Sequence, residues 1–265
     1  MSEKYKWDAQ DYRKSSSSQQ RWAQELMGKL SLSGTERILD IGCGDGKVTF
    51  ELSRLVPYGS VIGIDNSEDM IILAQRIYPP DKFSNLRFQV KDARELEFKD
   101  EFDIIFSNAA LHWIVNHRPV LIGMSKSLRP SGRVLLQMGG RGNACELIYV
   151  IERIITHTRW NQYFTGFSFL YRFYGPEEYS IWLKDAGLEA KRIELIPKDM
   201  THLGKEEFAS WIRTTWLPYI QRIPKDIRFE FIDQIVEEYI KEHPIDNGFI
   251  HVSMMRLEVE AEKIL

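Results

Sequence analysis

Cysteine is scarce in this 265-residue chain. The only two, Cys43 and Cys145, stand in dissimilar contexts, which argues against a disulfide framework and, with no ligand cluster nearby, against a zinc site. No metal is expected. No apolar stretch approaches the roughly 18 residues of a membrane span, and the polar stretch MSEKYKWDAQDY has no apolar signal core. A cytoplasmic protein with no membrane partner is expected. Long basic runs are missing as well, and the net charge is −3. Nucleic acid is therefore a poor partner, because phosphate binding leaves a cationic footprint. The remaining composition, 43% hydrophobic and 28% charged, is that of globular material, enough for one large domain or one domain with a substantial insertion.

Against these absences stands ILDIGCGDG at residues 38–46, followed by GSVIGIDNS at residues 59–67. Each begins with an apolar run that ends in an acid, Asp40 or Asp65. Glycines at 42, 44 and 46 follow the first. Strand, glycine turn, helix, strand with an acid at its tip is the layout of a nucleoside-containing cofactor site at the mouth of a parallel sheet. A dinucleotide fingerprint beginning at Gly42 requires glycine at position 47, which is Lys47. The turn reads GxGxG, and no dedicated phosphate cradle is apparent. An acid beside the glycines suits a ligand whose near end is a cationic amino acid.

The pattern downstream predicts the rest of the fold. A serine run at 15–18 caps a helix carrying Trp22, Leu26 and Leu30. Strands are expected at 37–41, 61–65, 86–93, 102–110 and 133–140, with helices at 47–55, 67–78 and 116–128, the last closed by the turn RPSG. The alternation indicates a doubly wound α/β sheet, seven-stranded and mostly parallel, whose strand tips share one ligand-binding edge. Those tips carry Asp40, Asp65, Asp92, Asn108 and Gly139. Beyond 140 come a helix at 144–157, an aromatic stretch at 159–174, a helix from Pro176 to Gly187, a strand at 188–196, a helical block at 205–243 and a long alternating strand from 248. The expected organisation is a single domain over 1–265, with helical cap insertions at about 141–175, after the fifth strand, and 198–246, between the sixth and seventh.

The chain resembles the class I S-adenosylmethionine (SAM) methyltransferases, which are Rossmann-like, and among them the trans-aconitate 2-methyltransferase family. The resemblance rests on the spacing from Trp7 to Tyr12, ILDIGCGDG, IGIDNSEDM, FDIIFSNAALHWIVNH, RPSG, FASWIRTTWLP and EEYIKEHPIDNG, and spans nearly the whole chain. The NAALHWIxxH segment points to the group that also includes malonyl carrier-protein and juvenile hormone acid methyltransferases. One departure stands out. Where the family carries Gly-Leu-Arg-Pro, this chain reads Trp216-Leu217-Pro218, without the arginine.

The resemblance implies SAM as cofactor, S-adenosylhomocysteine as product and a small carboxylic acid as acceptor. Gly42, Cys43, Gly44 and Gly46 would lie against the cofactor beside Asp40. Asp65 would take both ribose hydroxyls, as a carboxylate can, with Asn66 and Met70 flanking the adenosine. Asp92 would accept the adenine amine and Ala93 would pair a ring nitrogen, although Asp is also a favoured helix cap. Asn108 would lie under the methionine part, and Tyr12 and Gln20 would close over it. His112, Trp113, Trp211 and Trp216 are acceptor-pocket candidates. Arg141, Arg172 and Arg213, with Arg159 nearby, are candidates for holding the acid in place of the missing arginine. The aromatics of both insertions read first as a hydrophobic core and second as the pocket wall, with Trp113 as its floor. A carboxylate is already ionised near neutral pH, so no essential catalytic base is expected. The alternatives are another acceptor, such as a carrier-protein-bound acid or a phenol, and a SAM-binding protein without turnover.

Overall fold

The computed structural model describes residues 17–169 and 171–264, with backbone alone for 17–20. Tyr12 and the side chain of Gln20 lie outside the described residues. Seven strands form one sheet in the order β3-β2-β1-β4-β5-β7-β6, with β1 Arg37–Ile41, β2 Ser60–Asp65, β3 Leu86–Val90, β4 Phe102–Asn108, β5 Leu128–Gly139, β6 Leu188–Leu203 and β7 Phe249–Lys263. The β1–β2, β2–β3, β1–β4 and β4–β5 pairs are parallel, and β5–β7 is antiparallel.

The strand order reverses between β1 and β4, so a crevice opens at their C-terminal ends, where open α/β sheets bind ligands. Side chains alternate across the sheet. Leu39, Ile105 and Leu136 face one apolar core, while Ile38, Phe106 and Leu135 face the other. Helices α1 Ser17–Met27, α2 Lys47–Leu55 and α3 Glu68–Ile77 contribute Leu26, Leu52 and Ile71 to the second core. Helix α4, Arg118–Ser127, supplies Leu121 and Met124 to the first. Burial on both faces explains why the central strands read as unbroken apolar runs.

Two expected boundaries shift. RPSG is not a turn closing α4; it lies inside β5. Leu128 pairs with Phe102 and Arg133 with Ile104, so residues 129–132 bulge from the ladder, with Ser131 at φ 61. Strand β3 ends at Val90, and Asp92 instead caps a 3₁₀ turn, Ala93–Glu95, by accepting from the Arg94 N–H.

The chain forms two compact units. The sheet unit holds Ser16–Arg141, Tyr171–Ile196 and Arg256–Leu265. The helical unit gathers Gly142–Leu170 and Pro197–Met255, with α5 Cys145–Ile155, α7 Gly204–Thr215, the short α8 Leu217–Ile220 and α9 Arg228–Glu242; α6, Pro176–Asp185, belongs to the sheet unit. In the helical unit α9 packs on α5 and α7. It buries Phe231, Ile235 and Tyr239 with Leu147 and Ile151 of α5 and Phe208 of α7. Aromatic pairs continue this core: Trp160–Phe231 at 5.0 Å, Phe167–Tyr219 at 5.0 Å and Trp211–Trp216 at 5.8 Å between ring centroids. No helix among the described residues is long and apolar enough to cross a membrane.

Candidate active site

The loop after β1 is built by backbone geometry that glycine permits. Gly42, Gly44 and Gly46 have φ of 77°, 53° and 80°, values that cost L side chains energy. At Gly42 a Cβ would meet Ala110 Cβ at 2.1 Å, so the loop and the tip of β4 approach as closely as glycine allows. At Gly44 a Cβ would meet nothing within 4 Å. The same glycine backbone that closes the crevice floor at 42 therefore leaves open space at 44.

Asp65, at the tip of β2, binds this loop. Its carboxylate accepts the Gly44 N–H at 3.0 Å and the Ser67 N–H at 2.9 Å. Burial raises its pKa, and these backbone donors oppose the rise. Asp40 is 2% exposed and accepts a 2.7 Å bond from Thr49 Oγ1. Burial pushes its pKa up to about 7; the Thr49 hydroxyl holds it down and the charge of Asp65 adds to the rise. A buried acid, Asp40, and a half-buried one, Asp65, adjoin the loop, and a cationic amino acid beside a ribose fits that arrangement: ionised Asp40 would welcome positive charge, and Asp65 retains acceptor capacity for hydroxyls. Cys43 is inert, because burial and then the charges of Asp65 and Asp40 drive its thiol pKa well up. Met70 is buried at the start of α3 and Asn66 is exposed.

Asp92 is differently engaged. Its carboxylate brackets Arg94 through bonds of 2.9, 3.1 and 2.5 Å, and it fills the capping role foreseen as its alternative. Ala93 opens the 3₁₀ turn that Asp92 caps.

The other half of the crevice lies at the ends of β4 and β5. Ala109, just past Asn108, has φ 58°, a strained value for a residue with a side chain. A 3₁₀ turn, Leu111–Trp113, follows. The Arg172 N–H donates to the His112 carbonyl at 3.2 Å. That bond lays the 171–174 segment along the turn, with Tyr171 5.5 Å from the His112 ring and 4.5 Å from Trp113, and Phe173 6.1 Å from His112. His112 is held neutral: burial lowers its pKa well below the usual value, helped by the charge of Arg256 and then by His117. Its Nδ1 is buried with no hydrogen-bond partner among the described residues.

Arg256 is the residue that sequence reasoning missed. It lies on β7, opposite Gly139 at the end of β5, two rungs beyond the Gln137–Glu258 pair. Because β7 runs antiparallel, this register brings an arginine from late in the chain to the edge where the parallel strands end. Arg256 is 4% exposed, and its guanidinium carbon sits 5.3 Å from the Trp22 ring centroid. Its strand neighbour Glu258 is bound by Lys29, Arg192 and Gln137.

The arginines singled out from the sequence have the following surroundings. Arg141, expected to bind the acid, is exposed and pairs with Glu177 at 3.0 Å and Glu178 at 2.8 Å, which occupies its fork. Arg172 contributes its backbone N–H, and its side chain is exposed. Arg159 pairs with Glu230. Arg213 is exposed and lines a cavity of the helical unit. Trp211 and Trp216 are buried in that unit's aromatic core, 1% and 2% exposed.

Comparison with known proteins gives a consistent answer. A methyltransferase-domain family matches residues 32–162. The uncharacterized methyltransferase C70.08c of Schizosaccharomyces pombe is 31% identical over 233 residues, covering 83% of this chain and 85% of that protein. Trans-aconitate 2-methyltransferase of Variovorax paradoxus is 26% identical over 264 residues, covering 97% and 98%. In fold, the YcgJ protein of Bacillus subtilis matches with a TM-score of 0.63 at 20% identity, covering 93% of this chain and 99% of that one. With a glycine loop, acids at the tips of β1 and β2 and a strand order suited to the cofactor, the chain belongs to the class I S-adenosylmethionine-dependent methyltransferases.

Proposed function

We propose that the chain transfers a methyl group to a carboxylate oxygen of a small organic acid that carries a second anionic group, as trans-aconitate does. The observation that carries this reading is Arg256, a buried guanidinium at the ligand edge of the sheet beside a neutral histidine. A fixed planar fork in a desolvated site suits a carboxylate better than any neutral acceptor. When bound, SAM supplies an electrophilic methyl group and departs as a neutral thioether. The residues of this chain then have three tasks. Asp40, Asp65, Asn66, Met70 and the loop 42–44 hold the cofactor; Asn108 and Ala93 contribute at the strand tips. Arg256 holds one carboxylate of the acceptor. Trp113, Tyr171 and Phe173 exclude water around His112, strengthening charge-assisted contacts and removing solvent from the nucleophile. The second carboxylate is ionised at neutral pH, so His112 is a positioning and hydrogen-bonding group with no proton to remove. Arg256 thus supplies the anion contact that the Trp216-Leu217-Pro218 stretch lacks.

The test is incubation of the protein with methyl-labelled SAM and a panel of di- and tricarboxylates, monocarboxylates and phenols. The proposal expects label on the polycarboxylates, lost on mild alkaline hydrolysis as a methyl ester is. Label on phenols alone, or none despite measured SAM binding, would overturn it.

A further inference from the structure

The helical unit contains a cavity of about 740 Å³ that the methyl-transfer reading leaves without a role. It is lined by α7, α8, the 225–227 turn and the first half of α9. On α7 the lining residues Lys205, Ala209 and Arg213 recur every four positions and so share one face. Trp211 lies on the opposite face of α7, with Phe208 and Ile212 between, and all three are buried. None of the three lines the cavity.

Its chemistry is two-sided. Leu217, Ile220, Ile232 and Val236 form apolar walls, each no more than 6% exposed. Phe229, in the first turn of α9, contributes a ring 76% exposed, apolar surface of the kind that ligands cover. The charged lining residues are Lys205, Arg213, Lys225 and Arg228 against Glu206 and Asp233, so the lining is net cationic in a chain of net charge −3. Arg228 is fixed in place. Its Nε donates to the Ile223 carbonyl at 2.7 Å and its Nη2 to the Gln221 carbonyl at 3.3 Å. The volume falls in the range of small-molecule sites, which combine mostly apolar walls with a few placed polar groups.

We propose that this cavity binds a medium-chain fatty carboxylate, its hydrocarbon chain along Leu217, Ile220, Ile232 and Val236 and its head among Arg213, Lys225 and Arg228. Apolar burial drives entry and the cationic lining selects for an anion. None of its lining residues belongs to the sheet unit, which holds Asp40, Asp65, His112 and Arg256.

Calorimetry of the full chain with decanoate, below its micelle concentration, tests this. One saturable site is expected, with decanol and decyltrimethylammonium binding at least about tenfold more weakly, an interval of 1.4 kcal/mol. Ala209→Trp fills the cavity from one helix face and should abolish binding. The double charge reversal Arg213→Glu with Lys225→Glu changes two residues outside the aromatic core and should weaken decanoate by at least about tenfold while leaving decanol unchanged. Circular dichroism melts establish that both variants fold. Binding should persist in Asp65→Ala, which separates this site from cofactor and acceptor. Absent saturation, equal affinity for all three decyl compounds, or binding unaffected by either variant would overturn the proposal. Self-association removed by Ala209→Trp would assign the cavity to a second copy of the chain and overturn it equally.

Discussion

The two halves of the crevice differ in charge and in where along the chain their residues come from. Acids populate the tips of β1 and β2: Asp40 and Asp65, both raised in pKa by burial. At the ends of β4 and β5 stand Asn108, a neutral His112 in the turn that follows, and the cation Arg256, which β7 brings opposite Gly139. SAM carries a sulfonium, an ammonium and a carboxylate and is a net cation; the proposed acid acceptor is an anion. On that proposal the acidic half suits the first and the basic half the second, with the glycine loop and Ala110 in contact at the border.

Removing the acid that holds the loop should break the comparison most severely. Asp65→Ala deletes acceptors for the ribose and also releases the Gly44 and Ser67 amides. Each charged hydrogen bond lost costs on the order of 1.5–3 kcal/mol, so calorimetry should show SAM affinity falling by at least about tenfold in a folded variant.

On the basic side, Arg256→Gln should raise KM for the acid by about 1.5–3 kcal/mol in apparent binding, with SAM affinity unchanged. A parallel loss of SAM affinity would place Arg256 with the cofactor.

Asp40 gives the comparison a pH axis. Its pKa in the folded protein, about 7, lies above the unfolded value of about 4. Between these the folded chain holds a proton that the unfolded chain has lost, so this group makes stability fall as pH rises from about 4 to about 7, at up to about 1.4 kcal/mol per pH unit. Asp40→Asn should therefore raise the melting temperature at pH 8 far more than at pH 4. The same ionisation favours the cation, so SAM affinity in the native chain should rise between pH 6 and 8, and the variant should lose that slope.

His112→Ala is expected to have a smaller effect. With SAM saturating, single-turnover transfer should fall by less than about 100-fold and stay flat from about pH 6 to 8. A loss near 10⁴-fold or a bell-shaped profile would indicate general-base chemistry. The smallest effect belongs to Arg141→Ala, an exposed ion pair worth at most about 1 kcal/mol; transfer should be unchanged and the melting point nearly so.

The acidic half was legible in the sequence because local pattern encodes it: an apolar run, an acid, then glycines within nine residues. The parallel strands were legible for the same reason. RPSG misled because the same residues that make a turn also make a bulge. The basic half was hidden by topology. Along β7, Ile250, Val252 and Met254 share one parity and are buried; past Met254 the apolar parity switches to Leu257, Val259 and Ala261. Arg256 and Glu258 then read as members of a solvated face. They are buried, because that face is covered: Trp22 packs on Arg256, and Lys29, Arg192 and Gln137 close on Glu258. No local signal marks an antiparallel strand inserted beside β5, and without it nothing links residue 256 to residue 139. The arginines chosen instead lay near the aromatics in sequence, and Arg141 found carboxylates at the first turn of α6.

The most direct test of a charge-sorted crevice compares kcat/KM for a dicarboxylic acid and its neutral mono-amide, with SAM saturating, in the native chain and in Arg256→Gln. The account predicts that the native chain prefers the diacid by at least about tenfold, that the variant loses the preference, and that SAM affinity is the same in both. An equal preference in both proteins, or no transfer to any acid while SAM binds normally, would contradict it.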